Sequence, residues 1–527
     1  MNDELKELRV RRIVTGHTDA GQAMVAADEQ IAGTGLAEDE GRTSASPMHG
    51  PRASTTASAS RAGDVVVQLG RDKVVADMGN ADPVPDVAEV SRTLASQGVV
   101  GVAASYVDNS GIARVKTVPL ARLETAVTDG IGMSPVFDVF MFDDAITSSP
   151  SSTGPVGDLR LFPDLERLVV LAAQPGWAWA PLDRRTQEGE PHPGCQRTFA
   201  KSMVERATGR GLQASMGFEA EWVLDAGAGD GFVPATSGPA YGMDRLIEVS
   251  DYCRGLLAAL DAQSIEVLQL HPEYAPAQFE LSVAPADPVE AADRILLVRH
   301  TIRAVTGRAG MRCSFAPAMT PGGVGSGFHL HTSLWRDERT LMSRGSGPHG
   351  LSDEAQAFVA GVLDGLPGLL AIGAPSAASY LRLIPQRWAA PYRCWGRENR
   401  EAAVRLAASG DQANAEVKCL DGAANPYLLV GAVLALGLDG IERGLELLPE
   451  VTVDPATLSD AELMAGGVAR LPSSLADTLE HFRRCEPLAK AMGPALFETI
   501  VSVREAEIER FAGASDEEIV AATRWRY

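Results

Sequence analysis

Cysteine is scarce and poorly placed for cross-linking. The 527-residue chain has six, at positions 195, 253, 313, 394, 419 and 485, with no C-x-x-C pair among them. That argues against a disulfide scaffold and against a zinc ribbon. Basic charge is also short: 47 Lys and Arg stand against 69 Asp and Glu, a net charge of −22. A body that acidic repels nucleic-acid phosphates and anionic lipid, so neither nucleic acid nor membrane is expected as a partner. Long apolar runs are missing too. The longest, 427–438, is interrupted by glycines and closed by Asp439, short of the ~20 residues of a bilayer crossing. The first residues, Met-Asn-Asp-Glu-Leu-Lys, hold no apolar signal core, and a reduced, cytoplasmic setting is the expectation.

What is present reads as a globular protein. Hydrophobic residues make up 45% and charged residues 22%, ordinary proportions for a folded soluble chain. The length corresponds to roughly three domain-sized units at about 150 residues each. Between Leu36 and Val65 there is no Val, Ile, Leu or Phe. Such a stretch buries too little to offset its ordering entropy, so residues 1–62 are expected to be a disordered extension. A compact unit begins near Asp86. Residues 99–107, the turn formers Asp108-Asn109-Ser110-Gly111 and residues 112–120 read as a hairpin. This unit is expected to span 86–182, with 183–193 as a polar linker and 190–527 as a second unit alternating strands and helices. In the second unit Asp244 reads as the cap of a helix running to Leu260, and Asp287-Pro288 as the start of one reaching Arg308.

Four clusters carry chemistry. Glu219 and Glu221 are two apart in an apolar strand pattern and so share a face. Glu273 and Glu280 lie in His271-Pro272-Glu273-Tyr274-Ala275-Pro276-Ala277-Gln278-Phe279-Glu280. His329 and His331 also alternate onto one face, after the loop Gly325-Ser326-Gly327. Arginines at 382, 387, 393, 397, 400 and 405 precede Glu416-Val417-Lys418. Taken singly, each has a plain reading as solvated acids, a core histidine or surface ion pairs. Together, carboxylates and an imidazole are hard ligands suited to Mg²⁺ or Mn²⁺, and guanidinium forks suit phosphate. Metal-bridged ATP is the economical reading.

Over 86–527 the chain resembles the glutamine synthetase family. The motifs arrive in the family's order: Glu219-x-Glu221, His271-x-Glu273, Gly325-Ser326-Gly327-Phe328-His329-x-His331, Asn399-Arg400-x-Ala402-x-x-Arg405 and Asp421-Gly422-Ala423-Ala424-Asn425-Pro426. The resemblance implies an α+β protein with an N-terminal β-grasp domain and a catalytic domain built on a curved antiparallel sheet. It implies homo-oligomeric rings, usually a dodecamer of two hexamers, with sites shared between neighbours. Glu221, Glu273 and Glu280 would hold one divalent ion, and Glu219, His329 and Glu416 another. Arg382 would bind the glutamate carboxylate, with Gly325 and Lys418 also on the substrate side. Arg400 and Arg405 would face the ATP phosphates, and His331 and Ser333 would lie towards the nucleotide. The implied reaction passes through γ-glutamyl phosphate to a γ-glutamyl amide.

Departures from the family bear on the amine. Residues 382–391 hold no acid where ammonia-using members carry a flap glutamate, and Gly132-Met133-Ser134-Pro135 lacks the family's ammonium-binding aspartate. Trp388 offers an aromatic face to an organic cation instead. Lys418 and Asn414 replace two family arginines. The pattern from Trp395 to Ala402 is similar to the γ-glutamylpolyamine and γ-glutamylethanolamide synthetase-like branch, and no adenylylation tyrosine motif appears in 448–471. An organic amine acceptor is therefore the expectation. An ammonia-using glutamine synthetase and a non-catalytic ring-forming homologue are the alternatives.

Overall fold

A computed structural model describes residues 86–527 except 153, 408 and 409, together with the backbones of strands Arg9–His17 and Ala23–Ala32. These two strands pair antiparallel, an exception to the expectation of disorder over 1–62 that their β-branched residues Val10, Ile13, Val14, Val25 and Ile31 account for. The rest of that extension lies outside the described residues.

From Asp86 onward the chain is one compact unit with two sheets and many helices, an α+β arrangement. The expected hairpin is Gly101–Val107 paired with Ala113–Pro119. It belongs to a six-stranded sheet in which Gly101–Val107 also runs parallel to Trp177–Arg185. The segment 183–193 is not a free linker. Its first three residues complete the strand Trp177–Arg185, and the fully buried Arg184 pairs with Asp138 and bonds Gln196. Burying a guanidinium requires such partners, which is why a polar-looking segment is interior.

The hairpin tip docks on the second unit. Asn425 Nδ2 donates to Val107 O at 3.0 Å and Asp108 O at 3.1 Å, while its Oδ1 caps the helix Pro426–Arg443 through Tyr427 N at 2.9 Å. Gly111, at φ +77°, lies so close that a Cβ there would meet Ala423 O at 1.9 Å. The Asp-Gly-Ala-Ala-Asn-Pro motif thus joins the two sheets.

The second sheet has ten strands. In order they are Val267–Pro272, Gln278–Val283, Gln213–Asp225, Phe328–Arg336, Asn414–Val417, Ala402–Ala407, Tyr392–Arg397 and Ala469–Arg470, with two short strands alongside. It is antiparallel except that Tyr392–Arg397 and Ala402–Ala407 run parallel, joined by only residues 398–401. Parallel neighbours normally need a far longer crossover. Here Asn399 Nδ2 holds the short return against Val451 O at 2.8 Å and Val453 O at 3.0 Å.

Helices cover one face of this sheet. Asp287 caps Pro288–Arg308 as expected, accepting from Val289 N at 3.0 Å. Asp244 does not cap. Gly242 precedes Met243–Glu248, and a separate helix Ser250–Ala262 follows across a break at Val249. Asp353–Gly373 is long and apolar enough to cross a membrane, but 78% of its apolar window is buried in the fold. Phe218, Ala220 and Trp222 of one strand, and Phe328 and Leu330 of its neighbour, point into the core, with Phe218 and Phe328 stacked at 4.8 Å. Each such ring contributes about 1.5–3 kcal/mol by burial. The intervening residues are forced to the opposite face.

Candidate active site

That opposite face gathers the predicted ligands into rows. Register places Glu221 opposite Glu280, which faces His271 on the next strand. Glu219 lies opposite His329, and His331 lies opposite Glu416, which faces Arg405. His329 Nδ1 is 3.2 Å from Glu219 Oε2 and 3.4 Å from Glu416 Oε1, and its Nε2 is 3.7 Å from Glu221 Oε1. His331 Nε2 is 3.3 Å from Glu219 Oε1. His271 Nε2 is 3.3 Å from Glu280 and its Nδ1 3.5 Å from Glu273.

Among the described residues, three groups have ligand atoms within 4.8 Å of one another: Glu219, Glu280 and His329; Glu219, His331 and Glu416; and His271, Glu273 and Glu280. Glu219 and Glu280 thus each belong to two groups. This differs from the two separate triads implied by the motifs, and it brings in two further imidazoles. His331 sits within the cluster. His271, to which the motifs assign no ligand role, lies opposite Glu280.

The residues fit divalent cations. Glu416 Oε2 and His331 Nε2 are buried, the first 3.1 Å from Arg405 Nε and the second 3.3 Å from Glu219 Oε1, so both are held in the cluster by charge. A Cβ at Gly327 would fall 2.5 Å from His329 Nε2, 2.7 Å from Arg382 Nη2 and 3.0 Å from Glu221 Oε1, so only glycine leaves this cradle open. Carboxylate and imidazole donors match Mg²⁺ or Mn²⁺.

Charge is balanced unevenly across the face. Burial would raise the Glu416 carboxyl, but Lys418, His331, His329 and Arg405 hold it down to about 2. Glu219 is likewise held well below the ordinary carboxylate range, by hydrogen bonds with His329 and His331 against burial. Glu221 and Glu273 are raised, by burial first and then by neighbouring carboxylates. A hydrogen bond with Glu280 lifts His271 to about 9. The His271 side is therefore where carboxylate repulsion is least offset.

The remaining candidates spread around this face. Arg382 is buried, donates to Lys418 O at 3.2 Å through Nη2 and leaves Nη1 unpartnered. Lys418 Nζ donates to Glu416 Oε1 at 3.2 Å. Arg405 Nε lies 3.1 Å from Glu416 Oε2, so it is tied to the ligand cluster itself. Ser333 Oγ accepts from Trp335 Nε1 at 2.9 Å. Gly325 O accepts from Gln278 Nε2 at 3.1 Å. Arg400 is exposed and lines a cavity of about 490 Å³ with Trp388, Glu398, Glu401 and Asp454 among others. The motifs did not reveal Gln278, which bonds Glu221, or Glu401, which accepts from Trp388 N at 2.7 Å. Both act through contacts that residue type alone does not disclose.

Comparison with known proteins finds relatives across both units. Residues 193–521 match the model for the glutamine synthetase catalytic domain, and residues 86–188 that for the glutamine synthetase N-terminal domain. The chain is 51% identical over 466 residues to gamma-glutamylpolyamine synthetase GlnA3 of Streptomyces coelicolor, covering 85% of this chain and all of that protein. It is 28% identical over 445 residues to glutamate–methylamine ligase of Methyloversatilis universalis, covering 82% and 98%. A crystal structure described as a novel glutamine synthase homolog superposes with a TM-score of 0.73 at 33% identity, covering 82% of this chain and 99% of that one.

Proposed function

The chain belongs to the glutamine synthetase family, and from that premise we propose that this ATP-dependent glutamate–amine ligase takes an organic amine, such as a polyamine, in place of ammonium. The observation that carries the acceptor choice is the segment 382–391, which has no carboxylate and instead presents Trp388, 45% exposed. Ammonium needs an anionic clamp to repay its dehydration, whereas an alkylammonium gains from an aromatic face. The names of the polyamine and methylamine relatives point the same way.

In this reading Glu221, Glu273 and Glu280 hold one divalent cation and Glu219, His329 and Glu416 a second, with His271 and His331 at the margins. Two bound cations, Mg²⁺ or Mn²⁺, would supply charge neutralisation between the ATP phosphates and the attacking carboxylate. Arg382 binds a carboxylate of glutamate through its unpartnered Nη1, with Gly325 and Lys418 beside it. Arg400 and Arg405 face the phosphates, and His331 and Ser333 the nucleotide. The glutamate γ-carboxylate displaces ADP from the γ-phosphorus in line, giving γ-glutamyl phosphate. The amine nitrogen then attacks the acyl carbon, phosphate leaves and the amine proton is released. Assembly into a homo-oligomeric ring and a cytoplasmic location complete the proposal. Six unpaired cysteines, four of them buried, suit a reducing compartment.

Phosphate release from ATP, scored over an amine panel, tests this. Putrescine or ethanolamine should outpace ammonium at equal concentration, with an absolute need for glutamate and divalent cation. Equal or better turnover with ammonium would return the protein to glutamine synthetase proper. No binding of Mg-ATP by calorimetry would favour a non-catalytic homologue, a reading motivated by Asn414 and Lys418.

A further inference from the structure

Two loops meet at the rim of the carboxylate face. One is the turn 273–277 and the other the segment 383–391. The Tyr274 and Trp388 rings lie 5.0 Å apart between centroids, inclined at 53°, and both are half exposed, at 44% and 45%. Rings so exposed on loops are ordinarily loose. These are pinned. The backbone N–H of Tyr274 donates to Glu273 Oε2 at 3.0 Å, which ties the Tyr274 backbone to a proposed metal ligand. Trp388 has φ 55°, and Gln386 and Ala390 have φ 60° and 54°. Three left-handed non-glycine residues in five are strained and persist only where their surroundings over-determine them.

The restraint comes from Glu401, thirteen residues further on. The residue is 8% exposed, and its carboxylate accepts from Trp388 N at 2.7 Å and Gln386 N at 3.3 Å. Arg387 Nη1 donates to Gly322 O at 2.5 Å and Gly323 O at 3.1 Å, and Ala389 and Ala390 are buried. The backbone is therefore anchored on both sides of Trp388 while the indole is turned outward.

We propose that Tyr274 and Trp388 together form the port that receives the acceptor's alkylammonium, and that Glu401 is the positioning residue holding Trp388 in that port. This rests on the organic-amine reading above. A cation within about 6 Å of a ring centroid is attracted to its face, and methylenes pack on the same rings at no electrostatic cost. Bare ammonium would lose hydration for ring contact alone. The acid absent from 382–391 thus acts from position 401 on the backbone, not on the amine.

Steady-state kinetics with putrescine test the proposal, measured on the full chain and on Tyr274→Phe, Tyr274→Leu, Trp388→Leu, Glu401→Gln and the pair Trp388→Leu with Glu401→Gln. Tyr274→Leu, Trp388→Leu and Glu401→Gln should each raise the KM for putrescine at least ten-fold. The KM values for glutamate and ATP should stay within three-fold. Tyr274→Phe, which keeps the ring, should retain the parental KM. In the Trp388→Leu background Glu401→Gln should add nothing, because it acts through that ring. Tyr274 is exposed, so its variants keep the test open should Glu401→Gln fail to fold. The proposal is overturned if the parent uses putrescine while the leucine variants leave its KM within two-fold, or if the Glu401 effect persists undiminished without Trp388. Failure of the parent to use any organic amine sinks the underlying reading instead.

Discussion

Gln278 Nε2 donates to Glu221 Oε2 at 2.7 Å, and this bond helps fix the direction of a proposed metal ligand. The same oxygen accepts from Gly327 N at 2.8 Å, which leaves Oε1 as the atom facing His329. Gln278 is itself fully engaged, with its Oε1 accepting from Ala275 N at 2.9 Å. Outer partners of metal ligands typically govern affinity by 10–100-fold. Gln278→Leu should raise the Mn²⁺ concentration for half-maximal activity by about that factor, read from an Mn²⁺ titration of phosphate release. An unchanged midpoint would show that Glu221 is oriented without it.

Arg382 is buried, with Nη2 donating to Lys418 O and Nη1 unpartnered, so Nη1 is the donor left for a substrate carboxylate. Arg382→Lys keeps the charge and loses the fork. The KM for glutamate should rise about 100-fold, roughly 2.7 kcal/mol, with the KM for ATP little changed. Equal rises in both would mean that Arg382 serves the whole site.

Cation binding should appear as stability. A ligand that binds only the folded state at 100 times its dissociation constant adds about 2.7 kcal/mol. Millimolar Mg²⁺ should therefore raise the melting temperature of the parent and leave Glu280→Gln almost unmoved, since Glu280 belongs to two of the three ligand groups. Equal shifts in both proteins would place the stabilising ion elsewhere.

Gly111→Ala should damage the junction between the two sheets. The position has φ +77° and lies against Ala423 O, so the variant incurs both backbone strain and a steric clash. A loss of at least about 2 kcal/mol is expected, measured by denaturant unfolding. A loss below about 0.5 kcal/mol would show that the tip is not seated on the 421–426 turn.

His300 makes the fold acid-sensitive. Its imidazole, beside the Trp179 ring, is pushed down to about 3 by burial first and then by Arg303 and Arg299. A histidine with a depressed folded-state pKa contributes stability above its unfolded value of about 6.5, which is lost as pH falls through the window towards the folded value. His300→Leu should therefore lose less melting temperature than the parent between pH 7 and pH 5. Parallel curves would mean that His300 is accessible to protons in the fold.

Much of the site was legible locally. The period-two alternation around Glu219 and His329 put each pair on one strand face, and Asp287-Pro288 announced its helix, because caps and strand faces depend on a few consecutive residues. Asp244 misled because Gly242 starts the helix and Val249 breaks it. The 183–193 segment misled because the ion pair burying Arg184 spans 46 residues to Asp138.

The sequence by itself determined which residue types could bind cations and phosphate, and that the Glu219–Glu221 and His329–His331 pairs would each share one strand face. Only the tertiary structure decided the partners. His329 meets Glu219 across 110 residues, His271 joins Glu280, and Glu401 reaches back to the backbone of Trp388. Strand alternation is a property of one segment, whereas register between segments is set by pairing and burial of residues far apart in the chain, which no local spacing encodes.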